Sequence, residues 1–426
     1  MNRRHFLTTL GYASAASLLP LPNISRADTF VPYEGELLVT VQANGGWDVS
    51  SFCDPKINTD SAVINHWADG MNASDLPKAG NIAYAPFANN ASLFERFHDH
   101  MLVINGIDSQ TNAHGTGRVH TWSGRTARGY PSLTAMFASQ HAPTLPVSYL
   151  NFGGYAETAR LIRYSRIDKI GELRSVLQPN EVSPGGSRPS QYFPNGDVET
   201  IMAAQQSRLA RLQSDAGLLP RQKSAMASYF EARPNVQALE HFSTYIPDDS
   251  LIESSKSLFQ AQVAVLGFKA GVTCAADIEL GGFDTHTNSD SGQESALGSV
   301  SELLEYLWDY AESEGVAERM TVVVGSDFAR TPYYNNSDGK NHWPVGSVIV
   351  MRKNAPWGNR VISGSDENQN ALFVNPATLL ADNEPGSVVM HPMHVHSALR
   401  RELGLSTGDF SFTNTEEFDF FNPSLG

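Results

Sequence analysis

The chain has 426 residues, of which 41% are hydrophobic and 18% are charged, and its formal net charge is −15. This length suffices for one large domain with its own core, or for a domain with a substantial insertion. The acidic excess argues against a nucleic-acid backbone or an anionic membrane as the main partner, because both would repel a negative surface.

The N-terminal residues are typical of an export signal rather than of a folded element. Arg3-Arg4 precede a run of apolar and small residues through Leu19, and Ser25-Arg26-Ala27 has the character of a processing site. The run is shorter than the roughly 20 residues that a membrane span needs. We predict a twin-arginine signal peptide over residues 1–27 and an α/β domain over residues 28–426. The mature protein would be periplasmic or secreted, without a membrane span.

Two cysteines are present, Cys53 and Cys274. They could pair in an oxidising compartment, but two cysteines are too few for a disulfide-based scaffold. Their separation in sequence says nothing about their separation in space, so the sequence leaves their pairing open.

Strands and helices alternate from the start of the predicted domain. Residues 36–42 are predicted as a strand, and the glycine-rich turn after it ends in Asp48. That aspartate is either a functional carboxylate at a strand end or a turn and helix cap. Residues 90–98 favour a helix and residues 101–106 a second strand, whose polar loop leads to a helix beginning near Thr116. Such a loop can bind an anion, because the helix N–H groups and the positive end of its dipole face it.

The rest of the chain continues this alternation. The predicted elements are a helix over 131–142, a strand over 146–151, helices over 199–217, 222–242 and 254–270, a strand over 272–280, a helix with an apolar stripe at Leu297, Val300, Leu303, Leu304 and Leu307, strands over 320–325 and 345–351, and a helix over 395–403. Residues 156–245 are predicted to form a largely helical insertion or cap. The alternation favours a mainly parallel sheet whose strand ends share one edge.

Aspartate and histidine residues lie beside several of these predicted strands. Asp284 and His286 occupy alternate positions after one strand, so both side chains can face one metal ion. Asp327 follows the next strand and His342 precedes a later one. With Asp48 they make five candidate metal ligands at one edge of the sheet. Carboxylates neutralise a cation and imidazoles complete its coordination, so one or two divalent ions are expected, with Zn²⁺ or Mn²⁺ suiting the mixed ligands.

Other polar residues near these motifs have two interpretations each. His391, His394 and His396 have a spacing that could bind a metal, but they lie where a helix begins, and capping or packing is the more usual role there. Arg330 could bind an oxyanion bidentately, or it could form an ion pair with Asp327 or another carboxylate of the same edge.

Taken in order, the motifs resemble a known bacterial family. The segments that carry the resemblance are the twin-arginine start, Gly45-Gly46-Trp47-Asp48, Gly282-Phe283-Asp284-Thr285-His286, Val324-Gly325-Ser326-Asp327-Phe328-Ala329-Arg330-Thr331 and Asn341-His342. Together they resemble DUF1501, an exported family of unknown function that is similar to the alkaline phosphatase and sulfatase superfamily. The resemblance implies a three-layer α/β/α sandwich with a mainly parallel sheet. It also implies hydrolysis or transfer of phosphate and sulfate esters, with two metal ions and a nucleophile at a helix N-terminus.

The chain departs from the superfamily pattern at two places. Superfamily members that bind two metals usually have Asp-His after the later strand, whereas this chain has Phe328 in the second position. The place of the nucleophile falls near His114 rather than at a serine or threonine. Thr111 and Thr116 are the nearest hydroxyl alternatives, and Ser109 is a third.

Two functional hypotheses follow from these residues. The first is an exported metal-dependent hydrolase of phosphate or sulfate esters, acting on a small anionic ester or a polymer. The second is a catalytically silent metal-binding member of the fold, exported to bind a glycan, a surface polymer or a partner protein during assembly. The missing histidine and the uncertain nucleophile motivate the second hypothesis.

Overall fold

The structure is a computed structural model that describes residues 30–182, 190–214, 217, 219, 222, 236–413 and 415–426. The predicted signal peptide over residues 1–27 lies outside these ranges. Within them, no helix combines the length and apolar character that crossing a membrane requires.

The strands and helices follow one another along the chain much as predicted. The strands are β1 (Leu37–Ala43), β2 (Lys78–Ala79), β3 (Ile82–Ala83), β4 (Met101–Asp108), β5 (Tyr149–Asn151), β6 (Tyr164–Ser165), β7 (Ala275–Leu280), β8 (Met320–Ser326), β9 (Ala329–Arg330), β10 (His342–Trp343), β11 (Val345–Arg352), β12 (Arg360–Ile362), β13 (Phe373–Val374) and β14 (Val388–Val389). The helices are α1 (Asn90–Phe97), α2 (His114–Ser123), α3 (Leu133–His141), α4 (Ile170–Leu177), α5 (Asn195–Ser214), α6 (Val236–Ser243), α7 (Lys256–Lys269), α8 (Ser289–Ser313) and α9 (Pro392–Glu402).

The central sheet has eight strands in the order β12-β4-β11-β8-β1-β7-β5-β6. Strand β1 pairs in parallel with β7 and β8, and β11 is antiparallel to its neighbours β8 and β4. The other strands of this sheet run in one direction, so the predicted mainly parallel sheet is confirmed. The ends of β1, β4, β7 and β8 therefore meet at one edge, which we call the carboxyl edge. Because β11 is reversed, the residues that precede it lie at the same edge.

Helices cover both faces of the sheet. Alternate residues of β1 point to opposite faces, so Val39 and Val41 belong to one apolar cluster and Leu38 to another. The first cluster includes residues of α1, α7 and α8, and the second includes residues of α2, α3 and α9. The predicted apolar stripe of α8 is fully buried. These two cores confirm the α/β/α layering.

Helices α9 and α2 begin earlier than predicted, for local reasons. Helix α9 begins at Pro392, because the fixed backbone of proline suits the first helical position. Helix α2 begins at His114, after the extended residue Ala113. Its position is fixed by close packing, since a Cβ on Gly117 would lie 2.3 Å from the carbonyl oxygen of Asp327.

The segment predicted as a helical insertion, 156–245, is described in part. It contains β6, α4, α5 and α6. Helix α5 corresponds to the helix predicted over 199–217, whereas much of the helix predicted over 222–242 lies outside the described residues. Strand β6 pairs in parallel with β5 at the end of the central sheet. The segment therefore contributes to the sheet, and its treatment as a separate unit stays a prediction.

Both cysteines are buried and unpaired. Burial raises the pKa of Cys53 and of Cys274 to about 12. The thiols are thus packing groups of the two apolar cores.

Candidate metal centre

A glycine turn after β1 allows the site loops to approach one another. Gly45 and Gly46 have φ values of +124° and +86°, a region that favours glycine. A Cβ on Gly45 would lie 2.6 Å from the backbone nitrogen of Asp284, and one on Gly46 would lie 2.7 Å from the ring of Phe328. The turn therefore brings the loops after β7 and β8 together at the carboxyl edge.

A short hairpin places His342 beside the loop that follows β7. Strands β9 and β10 pair antiparallel, with His342 opposite Arg330. The carbonyl groups of Ser337 and Asp338, at the hairpin tip, accept hydrogen bonds from the N–H groups of Asn288 and Ser289 at 3.1 and 2.7 Å. Hence the hairpin is fixed to the start of α8.

Three imidazoles surround one carboxylate oxygen at the carboxyl edge. Asp284 Oδ1 lies 3.1 Å from His286 Nε2, 3.3 Å from His342 Nε2 and 3.6 Å from His114 Nε2. The Nε2 atoms of His286 and His342 are 2.9 Å apart. The ligand atoms of His114, Asp284 and His342 all lie within 4.8 Å of one another. This cluster could hold a metal ion.

The distances in the cluster fit a small divalent ion. Ligands bound at 2.0–2.1 Å in tetrahedral geometry stand roughly 3.3–3.4 Å from each other. The separations among Asp284, His286 and His342, from 2.9 to 3.3 Å, are close to that value. Several divalent metals accept such a mixed nitrogen and oxygen donor set.

Arg330 fixes the orientation of Asp284. Partial burial raises the pKa of Asp284, but hydrogen bonds from Arg330 and His342, together with the charge of Arg330, outweigh burial and lower it to about 2. Arg330 Nη2 donates to Asp284 Oδ1 at 2.6 Å, and the other donors of this buried guanidinium bond to the backbone oxygens of Gly45, Gly46 and Lys340. Of the two interpretations of Arg330, the geometry corresponds to an ion pair, and the partner is Asp284 rather than Asp327.

Asp327 lies behind His114. His114 Nδ1 is 2.6 Å from Asp327 Oδ2, and Asp327 also accepts from Gln42 Nε2 at 2.5 Å and from the Gly45 N–H at 3.2 Å. Burial raises the pKa of Asp327, and the hydrogen bond and charge of His114 oppose that rise. A carboxylate on Nδ1 places the proton there, so Nε2 presents a lone pair towards Asp284. The structure thus gives Asp327 a positioning contact to His114 rather than a place beside the other donors.

Asp48 lies in a separate buried ion pair. Lys340 Nζ donates to Asp48 Oδ2 at 2.7 Å and to Asn65 Oδ1 at 2.7 Å. Asp48 Oδ1 accepts from the N–H and the hydroxyl of Ser50, at 3.1 and 2.6 Å. The exposed fractions of the Lys340 and Asp48 side chains are 0% and 3%. The structure does not bring Asp48 to the cluster, because the lysine already balances its buried charge.

The aromatic ring of Phe328, the residue after Asp327, lies beside the cluster. The centroid of the Phe328 ring is 4.7 Å from that of His114 and 4.5 Å from that of His342. Such a ring supplies packing but no metal ligand. With Asp48 and Asp327 bonded elsewhere, the remaining donors form one group that could hold a metal ion.

The hydroxyl groups before α2 order their own loop. Ser109 Oγ donates to the carbonyl of Thr111 at 3.0 Å, and Thr111 Oγ1 accepts from the Ala113 N–H at 3.1 Å. Thr116 lies in the first turn of α2, where backbone N–H groups lack intrahelical acceptors. His114 is the side chain of this segment that reaches Asp284.

The three C-terminal histidines have packing and capping contacts. His391 Nδ1 donates to the carbonyl of Asp108 at 2.9 Å, and His394 Nδ1 accepts from the backbone N–H of His391 at 2.9 Å. His396 Nε2 donates to the carbonyl of Thr121 at 2.7 Å, and burial, with the nearby charge of Arg400, lowers its pKa to about 3. The structure does not bring these histidines to the cluster.

Gln42 and Lys340 were not singled out from the sequence. Each left a weak signal. Gln42 is a polar residue in an otherwise mostly apolar strand, and Lys340 directly precedes the Asn341-His342 motif. Neither feature indicates a partner, so the sequence does not predict the contact of Gln42 with Asp327 or that of Lys340 with Asp48.

The family comparison agrees with the motifs. Residues 252–366 match the model of a family described as "Protein of unknown function (DUF1501)". The resemblance to DUF1501 is confirmed. The DUF1501 segment includes Asp284, His286, Asp327, Arg330 and His342. Asp48 and His114 lie outside it, so the matched segment holds every residue of the cluster except His114.

Solved structures that are similar to this chain include a lipoteichoic acid synthase, a sulfatase and a protein in complex with k-i-k-neocarrahexaose. The lipoteichoic acid synthase LtaP from Listeria monocytogenes has a TM-score of 0.35 at 9% identity, covering 97% of this chain and 82% of its own. The PsFucS1 sulfatase from Pseudoalteromonas sp. has a TM-score of 0.37 at 10% identity, covering 96% and 74%. Ps i-CgsB in complex with k-i-k-neocarrahexaose has a TM-score of 0.39 at 8% identity, covering 90% and 76%. A search of curated proteins found no significant match.

Proposed function

We propose that this protein is an exported metal-dependent hydrolase of phosphate or sulfate esters, in which Asp284, His286 and His342 hold one divalent ion. The observation that supports this most is the set of ligand-atom separations among these three residues, 2.9 to 3.3 Å, with His114 Nε2 next to them. Zn²⁺ and Mn²⁺ both suit two imidazoles and a carboxylate. Three protein ligands also leave a position open for water or substrate, as catalytic sites do.

A bound divalent ion would supply Lewis-acid polarisation of an ester oxygen and would lower the pKa of a bound water to about 7. The protein supplies the remaining groups. Arg330 keeps Asp284 ionised and oriented, since it donates to Oδ1 at 2.6 Å. Asp327 keeps the Nδ1 proton on His114. The first-turn N–H groups of α2 can hold the anionic group of an ester, because they lack acceptors within the helix.

We assign the proton-accepting role to His114. Its Nε2 atom is 3.6 Å from Asp284 Oδ1, so it borders the same space as the metal donors. Thr111 is a weaker candidate for a group that reacts with the ester, because its hydroxyl already accepts a hydrogen bond from the backbone N–H of Ala113 in its own loop. Thr116 remains in the first turn of α2 as a group that can contact the ester.

The experiment combines metal analysis with turnover of an aryl phosphate and an aryl sulfate. We expect about one divalent ion per purified chain and measurable turnover of one ester. His286→Ala should lose both metal and turnover. His114→Ala should keep the metal and lose turnover by about 10²–10⁴-fold, the usual contribution of a general base. His98→Ala, at a histidine that ends α1, is the control and should change neither. A metal-free protein that stays inactive on both esters after divalent metal is supplied would refute the proposal.

A catalytically silent metal-binding protein is the second candidate. The observations that favour it are the imidazole of His114 in place of a hydroxyl nucleophile at the start of α2, and Phe328 in place of a second-metal ligand. This candidate predicts that the wild type binds one ion, that His286→Ala loses it, and that neither ester is turned over. Such a protein would serve as an exported binding or assembly factor.

The export part of the proposal rests on Arg3 and Arg4. Replacing both with lysine should leave the precursor in the cytoplasm when cells are fractionated. Unchanged export of the double variant would argue against the twin-arginine route.

A further inference from the structure

A polar cleft of about 590 Å³ adjoins the metal centre. It lies beside α2, at the carboxyl ends of β5 and β7, and its walls include Arg118, Arg128, Arg166, Tyr155, Glu157 and Glu279. Helix α2 is common to both places, because it begins with His114 and contributes Gly115 and Arg118 to the cleft. Arg118 stands one helical turn after His114, on the order of 6 Å along the helix.

The guanidinium of Arg128 lies close to the first turn of α2. A Cβ on Gly115 would lie 3.4 Å from Arg128 Nη2. The absence of a side chain at Gly115 therefore leaves room for this arginine next to the residue that follows His114. Two positive groups, from Arg118 and Arg128, thus stand at the end of the cleft nearest the metal centre.

Within the described part of the chain, neither Arg118 nor Arg128 has a carboxylate at salt-bridge distance. The carboxylates of the cleft bond to backbone N–H groups and to the side chain of Asn44, which donates to Glu279 Oε1 at 3.1 Å. Glu279 Oε2 accepts from the Gly154 N–H at 2.6 Å, and Glu157 Oε1 accepts from a backbone N–H two residues further on at 2.8 Å. The charge of Arg118 acts at longer range on the buried Asp327, where it opposes the rise in the pKa of that carboxyl. Two arginines without a salt bridge are notable in a chain with a formal net charge of −15. Their charge is available to an anion from outside.

We propose that this cleft binds a second anionic group of the substrate, so that the substrate is a polyanionic ester rather than a simple monoester. The inference rests on the proposed function, because it places the reacting group at His114 and the second group between Arg118 and Arg128. Guanidinium groups bind sulfate, phosphate and carboxylate through paired hydrogen bonds. An acidic protein would otherwise repel such a ligand, so a local pair of arginines is what its recognition requires.

Fluorescence anisotropy tests the proposal with a labelled chondroitin sulfate tetrasaccharide, its desulfated counterpart, and tripolyphosphate as competitor. We expect the sulfated probe to bind and the desulfated one to bind at least about tenfold more weakly. Arg118→Gln and Arg128→Gln should each weaken binding of the sulfated probe about tenfold, the value of one hydrogen bond to a charged group. Arg96→Gln removes an exposed arginine that pairs with Asp309 on α8, and it should leave binding unchanged. If the tetrasaccharide does not bind but tripolyphosphate binds in isothermal titration calorimetry, and that binding weakens in Arg118→Gln and Arg128→Gln, the cleft is assigned to phosphate polymers instead of sulfated glycans. That outcome would still support a polyanionic ligand.

The outcomes separate this proposal from the proposed hydrolase activity. If wild type and both arginine variants bind every polyanion equally, or none binds, the cleft proposal is overturned even when aryl esters are hydrolysed. If binding depends on the two arginines but no ester is turned over, the cleft is supported as an anion site and the hydrolase activity is overturned. With an active enzyme, each arginine variant should raise KM for a polyanionic ester and leave KM for a small aryl ester unchanged.

Discussion

Replacing Lys340 with methionine tests the buried ion pair beside the metal centre. The change removes the ammonium from Asp48 and keeps an apolar stem of similar length. Asp48 would retain the hydrogen bonds from Ser50 and from Ser51 Oγ, the latter at 3.2 Å. Breaking a buried ion pair on one side typically costs about 3–5 kcal/mol. Because three donors to Asp48 remain, we expect a loss near the lower end, about 3 kcal/mol in the free energy of unfolding.

The measurement is urea unfolding of the metal-free protein, so that metal binding does not add to stability. Asp48→Asn in the Lys340→Met background should recover at least about 1 kcal/mol, since it removes the unpaired charge. Metal content at saturating metal should be the same in Asp48→Asn as in the wild type. The reasoning is refuted if Lys340→Met costs less than about 1 kcal/mol, or if Asp48→Asn loses the ion.

Three further substitutions probe the supporting structure. His396→Gln should remove a contribution to the free energy of unfolding that depends on pH. Burial lowers the pKa of His396 to about 3 in the folded protein, whereas the value in the unfolded chain is near 6.5. The neutral imidazole therefore contributes fully above pH 6.5, and this contribution is lost as pH falls towards 3. Between pH 7 and 4.5 the wild type should therefore lose about 2–3 kcal/mol more than the variant in urea unfolding, and equal losses would contradict this. Asp327→Asn should lower kcat about a hundredfold or more by disturbing the tautomer of His114, without loss of metal; a metal-free variant would show that Asp327 is a ligand. Gly45→Ala, at φ +124° with its Cβ 2.6 Å from the nitrogen of Asp284, should cost about 1–3 kcal/mol and weaken metal binding, whereas unchanged unfolding and affinity would argue against the close approach.

The longer strands of the sheet were predictable because each is marked by a local run of apolar and β-branched residues. Strand β8 contains four consecutive β-branched residues, Thr321 to Val324, and was predicted almost to its ends, as 320–325 against Met320–Ser326. Helix α8 shows an apolar stripe with helical spacing, and the stripe is buried. In both cases the pattern that selects the element is local, so no knowledge of distant contacts was needed. The reversed direction of β11 is not local, since it depends on the hairpin that precedes it.

The partners of the acidic residues were not predictable in this way. Asp48 and Asp284 each follow a strand at the same edge, and both were predicted as metal ligands. Their roles diverge through tertiary contacts: Asp48 pairs with Lys340, 292 positions away, and Asp284 with Arg330, 46 positions away. Both cations come from the region between β8 and β11. The partner of each carboxylate depends on how the region between β8 and β11 packs against the carboxyl edge. The positions of the strand ends in the sequence do not predict that packing.

The hairpin between β9 and β10 makes the metal centre cooperative. Asn288, with φ +46°, makes no side-chain cap for α8, and the hairpin tip supplies acceptors for the first N–H groups there instead. The same tip passes so close to His286 that a Cβ on Gly339 would lie 1.9 Å from its carbonyl oxygen. An opening of the hairpin would withdraw His342, loosen His286 and uncap the helix in one event. Loss of the ion should therefore follow local unfolding as a single step, rather than the stepwise release of one ligand after another.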